Sequence, residues 1–256
     1  MSDVTAEDRC RGVLIGLAAG ERIGGPIRMA VRLAEGLLEC GGFDPSDILE
    51  RYLRWWREGA FDTGPVSGRA LALIASGMPP QEATLQVHRE FGGKTAGCNP
   101  AHRSPPLAML AAIADEDLVG CAMTEARLTH HDPLAGEVAG MVNKLCRSLI
   151  RGTAWDVALR QCEAFTGQEG PGSNGGYAPD VFRAAVYFIG TSACFPEALE
   201  RSLSFAGPAN YCPVLVGAVG GARWGASAIP QQSLANVDIL PRVRATAEAL
   251  AADWAG

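Results

Sequence analysis

Apolar residues recur at three- and four-residue steps through most of the chain. Ala30, Leu33, Ala34, Leu37 and Leu38 make one stripe. Ile48, Leu49, Tyr52, Leu53 and Trp56 make a second, and Leu134, Val138, Met141, Val142, Leu145 and Leu149 a third. That step places side chains on one face of an α-helix. Start signals precede several helical patterns: Asp44-Pro45-Ser46-Asp47, Thr153 ahead of Ala-Trp, and Phe195-Pro196-Glu197. Gly36, Gly77, Gly120 and Gly152 punctuate the pattern, some of them at helix ends. No alternating stretch reads as a strand. The pattern predicts about ten to twelve helices with short connections. They form one compact all-α domain over residues 1–256, with no linker, low-complexity tract or fixed-period repeat.

The polar, Gly/Pro-rich segments between the stripes are residues 20–28, 60–68, 92–106, 129–133, 167–179 and 206–213. An all-α fold builds its site where such loops and helix ends converge. The last of these segments leads into a run of small residues, Gly217, Gly220, Gly221, Ala222 and Gly225, spaced as in a tightly packed helix. Yet the loop before that helix, Ala206 to Tyr211, holds no acid and no base.

Composition narrows the class. A chain of 256 residues buries a sizeable core. A net charge of −6, with no Lys/Arg cluster and only Lys94 and Lys144 as lysines, argues against nucleic acid as a partner. The apolar run Cys212 to Ala222 is too short for a bilayer, and acids precede the short apolar run near Met1. The sequence therefore predicts a cytoplasmic protein with no signal peptide and no membrane partner. None of the eight cysteines forms a C-x-x-C pair, so small hydrophobes are expected rather than a disulfide framework or zinc site.

Chemistry enters through a set of ordered segments. They read "RGVLIGLAAGERIGGP", "FDTGPVSGRALALIASG", "TAGCNPAHRSPPLAM", "RLTHHDPLAGE", "GGYAPDVFRAAVYF" and "GARWGASAIP". Taken in order, they resemble the ADP-ribosylglycohydrolase family across nearly the whole chain. The first is similar to the family's opening helix, Gly-x-x-x-Gly-x-Ala-x-Gly-Asp-x-x-Gly. Gly12, Gly16, Ala18, Gly20 and Gly24 match, and Glu21 stands where Asp is usual. The resemblance implies an orthogonal α-helical domain that acts on ADP-ribosyl groups.

The departures from the family matter as much. Its site usually holds two magnesium ions. One ligand set is a Thr-Asp-Asp-Thr run just before the helix that begins here at Met29, where this chain has Gly24-Gly25-Pro26-Ile27. The other is a Gly-Asp-x-Asp-Thr loop, where this chain has Gly207-Pro208-Ala209-Asn210-Tyr211. Magnesium prefers hard oxygen ligands, with carboxylates supplying the charge. No metal ligand and no cofactor is therefore expected.

Cleaving a ribosyl C–N bond passes through an oxocarbenium-like state that needs a carboxylate and an oriented water. By the resemblance, Glu21 is the catalytic carboxylate or a ligand anchor; the alternative is a solvated helix-end acid. Asp62 reads first as an N-cap for the helix near Val66, and otherwise as an acid in the cleft. Cys98, Asn99, His102 and Arg103 lie on the loop that lines the family's ligand site. Arg103, on the family's arginine, either holds phosphate or ties the loop to a helix C-terminus. Cys98 contacts ligand or, paired with His102, is a nucleophile. His130 falls on the family's histidine and is preferred to His131 as a catalytic base. Asp132 is a ligand contact or a helix start ahead of Pro133.

The loop Asn174 to Tyr177 feeds a helix N-terminus that suits a diphosphate. Tyr177 or Tyr211 would stack on adenine, with Asn210 a further ligand contact. Trp55, Trp56, Trp155 and Trp224 read as packing. The expected partner is a small-molecule or protein-linked ribosyl substrate. The expected function is a divergent hydrolase of an ADP-ribosyl group or related N-riboside, with metal dependence weakened or lost. The alternatives are an inactive relative that binds ADP-ribose-like ligands or serves a structural role, and a different reaction on a ribosyl-like substrate.

Overall fold

The computed structural model describes residues 4–162 and 170–255. The expected loop over 167–179 therefore lies partly outside the described residues. Fourteen α-helices run through the described residues. They are α1 (Ala6–Gly20), α2 (Gly25–Cys40), α3 (Pro45–Arg57), α4 (Pro65–Ala75), α5 (Pro80–Glu90), α6 (Asn99–Arg103), α7 (Pro106–Met109) and α8 (Asp115–Arg127). There follow α9 (Pro133–Ile150), α10 (Trp155–Arg160), α11 (Ala178–Gly190), α12 (Phe195–Ala206), α13 (Cys212–Trp224) and α14 (Leu240–Ala251). Only α6, α7 and α10 have six residues or fewer, and the longer helices fall within the number the pattern predicts. No strand occurs among the described residues; the β feature is an isolated antiparallel bridge between Gly97 and Tyr177. No helix among them is long and apolar enough to cross a membrane.

Proline writes most of the helix starts. Eleven of the fourteen helices carry it in their first two positions. There the missing N–H is one the helix leaves unpaired anyway, and φ is already near the helical value. Asp44 caps α3 by accepting from the N–H groups of Ser46 and Asp47, and Asp132 caps α9 through Leu134 N–H. Gly77 and Gly152 lie just past α4 and α9 at φ +101° and +79°. Gly36 and Gly120 instead sit inside α2 and α8. A Cβ on Gly36 would meet Ile48 Cδ1 at 2.5 Å, so its smallness serves the packing of α2 on α3. Two predicted caps are corrected. Gly64, not Asp62, precedes α4, and Ala154, not Thr153, precedes α10.

The middle of the fold is the crossing of α1 with α13, with α9, α11, α12 and α14 packed around it. A Cβ built on Gly16 would lie 2.1 Å from the Gly217 oxygen, and one on Gly221 1.8 Å from the Gly12 oxygen. The two helices therefore touch backbone to backbone, which only glycine permits. One continuous apolar core runs from Cys10 in α1 to Ala251 in α14. Val66, Ala70 and Val87 form a small separate cluster between α4 and α5. The segment 107–113 is held by buried Arg147 of α9, which donates to the carbonyls of Leu107, Ala108, Leu110 and Ile113. That one side chain satisfies oxygens that a four-residue helix cannot pair internally.

Candidate active site

A cavity of about 870 Å³ opens where the N-terminal ends of α2, α4, α9, α11 and α13 meet the loop before α6. Five widely separated parts of the chain converge there because their helices share the core around the α1–α13 crossing. Cys98, Asn99, His130, Asp132, Tyr177, Asn210 and Tyr211 all line it. Glu21 and Arg103 do not.

Glu21 follows the last turn of α1 and faces the loop before α13. Its Oε1 accepts from Arg22 N–H at 3.0 Å, Ile23 N–H at 3.1 Å and the Asn210 side-chain amide. Asn210 Oδ1 in turn accepts from Arg22 N–H at 3.3 Å, and the Arg22 guanidinium donates to the carbonyls of Gly207 and Ala209. Glu21 Oε2 is buried with no partner. Burial raises the Glu21 carboxyl above its ordinary value, against the lowering effect of these hydrogen bonds. Glu21 thus stands one layer behind the cavity and sets the position of Asn210, rather than presenting an oxygen to a ligand.

Arg103 takes the second of its two readings, a tie from the loop to a helix C-terminus, donating to the Glu125 carbonyl in the last turn of α8 at 3.3 Å. It is fully buried and paired with Glu125, Nε to Oε1 at 2.6 Å, while Tyr52 donates to the same oxygen at 2.8 Å. The coulombic pull of Glu125 and Tyr52 holds its pKa above the ordinary value despite burial. It has no route to a phosphate in the cavity. Its other end donates to Asn99 Oδ1 at 2.7 Å, and Ser67 Oγ donates to that same oxygen at 3.2 Å. An arginine has only donors, so Asn99 must turn its oxygen inward. Its amide NH₂ is left for the cavity.

The pairing of Cys98 with His102 as a nucleophile also fails. Burial pushes the Cys98 thiol up to about 12 and the His102 imidazole down to about 3. Both stay neutral, whereas a reactive cysteine needs thiolate character. His102 Nε2 is buried without a hydrogen-bond partner. His130 lies beside Thr129, Nδ1 to Oγ1 at 2.9 Å, and burial holds its pKa well below the ordinary value. Its neighbour His131 lines no part of the cavity and tilts against His88 at 5.0 Å. Asp132 serves the α9 cap and the cavity wall at once.

Asp62 lines the cavity as well. It is the only non-glycine residue with positive φ, +51°, among those described. Its Oδ2 accepts from Gly25 N–H at 3.2 Å, which joins it to the start of α2. Burial raises its carboxyl above the ordinary value. Sequence reasoning weighed Asp62 mainly as a cap and passed over Ser67, Phe91 and Lys94, which share the lining. The "FDTG" segment was the signal for Asp62; the other three carry no local pattern.

An all-α fold with a loop-lined cavity at converging helix N-termini defines a class. The chain belongs to the ADP-ribosylglycohydrolase family, whose model matches residues 27–256. It is 21% identical over 281 aligned positions to ADP-ribosyl-[dinitrogen reductase] glycohydrolase of Rhodospirillum rubrum, covering 93% of each chain. A solved structure described as an ADP-ribosylglycohydrolase-related protein complex is similar with a TM-score of 0.77 at 27% identity. That match covers 96% of this chain and 98% of the other.

Proposed function

We propose that this protein hydrolyses the N-ribosidic bond of an ADP-ribosyl group or a related N-riboside, with metal dependence weakened or lost. The observation that carries the reading is the Asp62 carboxylate on the wall of the family's cavity. In the reaction the C1–N bond breaks, water supplies the new hydroxyl on C1, and the departing nitrogen gains a proton. Asp62 takes the proton from that water and offsets the positive charge that develops on the ribose. A carboxylate raised by burial is a stronger base than a solvated one, which suits this role.

The donors in the two loops do not fit a pair of magnesium ions. Gly24 to Ile27 and Gly207 to Tyr211 carry no carboxylate. Among the described residues no group of three or more His, Cys, Asp or Glu is arranged to hold a metal. The neighbouring acids are engaged elsewhere, Glu21 by Arg22, Ile23 and Asn210, and Asp62 by Gly25. Protein groups join the loops instead, through Glu21 to Asn210 and Arg22 to Gly207 and Ala209.

The test is turnover of ADP-ribosyl-arginine and simple N-ribosides by wild type and Asp62→Asn, with and without EDTA. The expected loss in kcat is ~10²–10⁴-fold for Asp62→Asn, with melting unchanged and no effect of EDTA. Full activity in Asp62→Asn would remove Asp62 from the mechanism. Activity lost to EDTA and restored by Mg²⁺ would overturn the metal-independent part. The second reading is a binding protein without turnover, favoured by the hydrogen bonds that hold Glu21 away from the cavity. It predicts no turnover of any riboside, with ADP-ribose still raising the melting temperature.

A further inference from the structure

The charges on the cavity wall are unusual for a site that would receive a diphosphate. Lys94 is the one Lys or Arg among the lining residues, and it shares that lining with the acids Asp62 and Asp132. Arg103 is fully buried against Glu125. Two arginines beside the lining residues Ile23 and Pro26 in sequence are committed: Arg22 to the Gly207 and Ala209 carbonyls, Arg28 to Asp238. Residues 163–169 add no Lys or Arg to the sequence and hold two glutamates. Phosphate groups are ordinarily met by arginine forks or by free N–H groups at helix N-termini.

Three of the five helix starts at the cavity already have an N–H engaged. The starts of α2 and α9 already donate to carboxylates, Gly25 N–H to Asp62 and Leu134 N–H to Asp132. Ala178 N–H, the first of α11, donates to the Ala96 carbonyl at 2.9 Å. Proline removes one further donor from the first turn of each of α2, α4, α9, α11 and α13.

The wall is instead rich in aromatic surface. Tyr177 and Tyr211 are 49% and 39% exposed, and both line the cavity. A Cβ on Gly176 would lie 3.0 Å from the Tyr211 ring, so that ring lies against the bare backbone just before Tyr177. A planar base stacks on such a ring whatever hydrogen bonds its edge makes. The polar groups left over suit hydroxyls: Asp62 accepts, the Asn99 amide donates, and His102 Nε2, in a side chain only 2% exposed, has no partner.

Resting on the hydrolase reading above, we propose that the cavity takes an uncharged nucleoside rather than a diphosphate-bearing ADP-ribosyl group. Its ribose lies on Asp62, Asn99 and His102, and its planar base lies against Tyr177 and Tyr211. The diphosphate is disfavoured because Lys94 alone meets two acids and about two added negative charges.

Calorimetric titration of the full chain with adenosine, inosine, uridine and ADP-ribose tests this. At least one nucleoside is expected to bind at least ~10-fold more tightly than ADP-ribose, with little salt dependence. Tyr211→Ala and Tyr177→Ala should each weaken it ~5-fold or more at an unchanged melting temperature, and Lys94→Ala should leave it unchanged. ADP-ribose binding as tightly as the nucleosides, or more tightly, overturns the inference and leaves the hydrolase reading standing. So does nucleoside binding that is indifferent to both tyrosine substitutions. Nucleoside binding without turnover supports the inference and counts against the hydrolase. Absence of binding and turnover for all four overturns both.

Discussion

The middles of α1 and α13 and the ends of the same two helices obey different constraints. In the middle, Gly12, Gly16, Gly217 and Gly221 sit where a single methyl would strike a carbonyl oxygen. At the ends, Glu21 and the loop Gly207 to Tyr211 meet through side-chain hydrogen bonds. Packing allows almost no change in the first region. In the second, any residues that can bridge the gap will hold the loops, so the chemistry there is free to drift while the fold stands. The helices of the ADP-ribosylglycohydrolase fold are kept.

The sharpest way to break that contrast is Gly221→Ala. Its Cβ would lie 1.8 Å from the Gly12 oxygen, so the helices must part. The expected loss is ~3 kcal/mol or more, a melting temperature lower by ~6–12 °C or no soluble protein at all. A melting temperature within a degree of wild type would mean the crossing is looser than described.

Arg103→Ala comes next. It strands Glu125 in a site with no exposure, at a cost of ~3–5 kcal/mol in chemical denaturation. It also frees Asn99 to rotate, so ligand affinity should fall in whatever folded fraction remains. Normal stability would show that water or another group replaces the guanidinium.

A smaller effect comes from acid. Burial lowers His102 to about 3 and moves His130 in the same direction. The unfolded chain takes up protons near the ordinary value of 6.5 that the folded chain refuses. Their stabilising contribution is therefore complete above that value and is lost as pH falls below it. The slope reaches ~1.4 kcal/mol per pH unit for each histidine. Urea midpoints between pH 7.5 and 5.5 (~one unit of the window) should fall with acid, and His102→Gln should flatten the profile. A flat wild-type profile would refute the buried neutral state.

Cys98→Ala should do least. With the thiol pushed up to about 12, it is neither nucleophile nor thiolate, and turnover should stay within about twofold of wild type. A loss of ~100-fold or more would restore the nucleophile.

Helix content was legible because it is local. Asp44 and Asp132 announce the starts of α3 and α9 with their own side chains, and the apolar steps of α2, α3 and α9 show their buried faces. Many cavity residues were legible too, since loops before helices are where an all-α protein presents groups. What was hidden depends on distant partners. Asp62 in "FDTG" looks like a cap, but its hydrogen bond goes to Gly25, far back in the sequence. Arg103 looks like a phosphate ligand until Glu125, in the last turn of α8, takes its charge. Glu21 looks like the acid of the site until the amide of Asn210 closes over it. No stripe or spacing reports such pairings.

The glycine crossing also decides which side of the cavity can move. Helices in backbone contact cannot slide past each other without driving carbonyl oxygens into Cα atoms. The loops at their ends are further tied by Arg22 and Asn210, so this side behaves as a fixed jaw. The segment Phe91 to Cys98 follows α5, which packs with α4 partly on the main core, through Leu71, Ile74 and Ala83, and partly on the small cluster of Val66, Ala70 and Val87. Gly92 and Gly93 hold φ +61° and +79° at its root, a backbone suited to pivoting. The backbone freedom that could admit a ligand therefore lies on the α5 side, at Gly92 and Gly93, rather than at the seam.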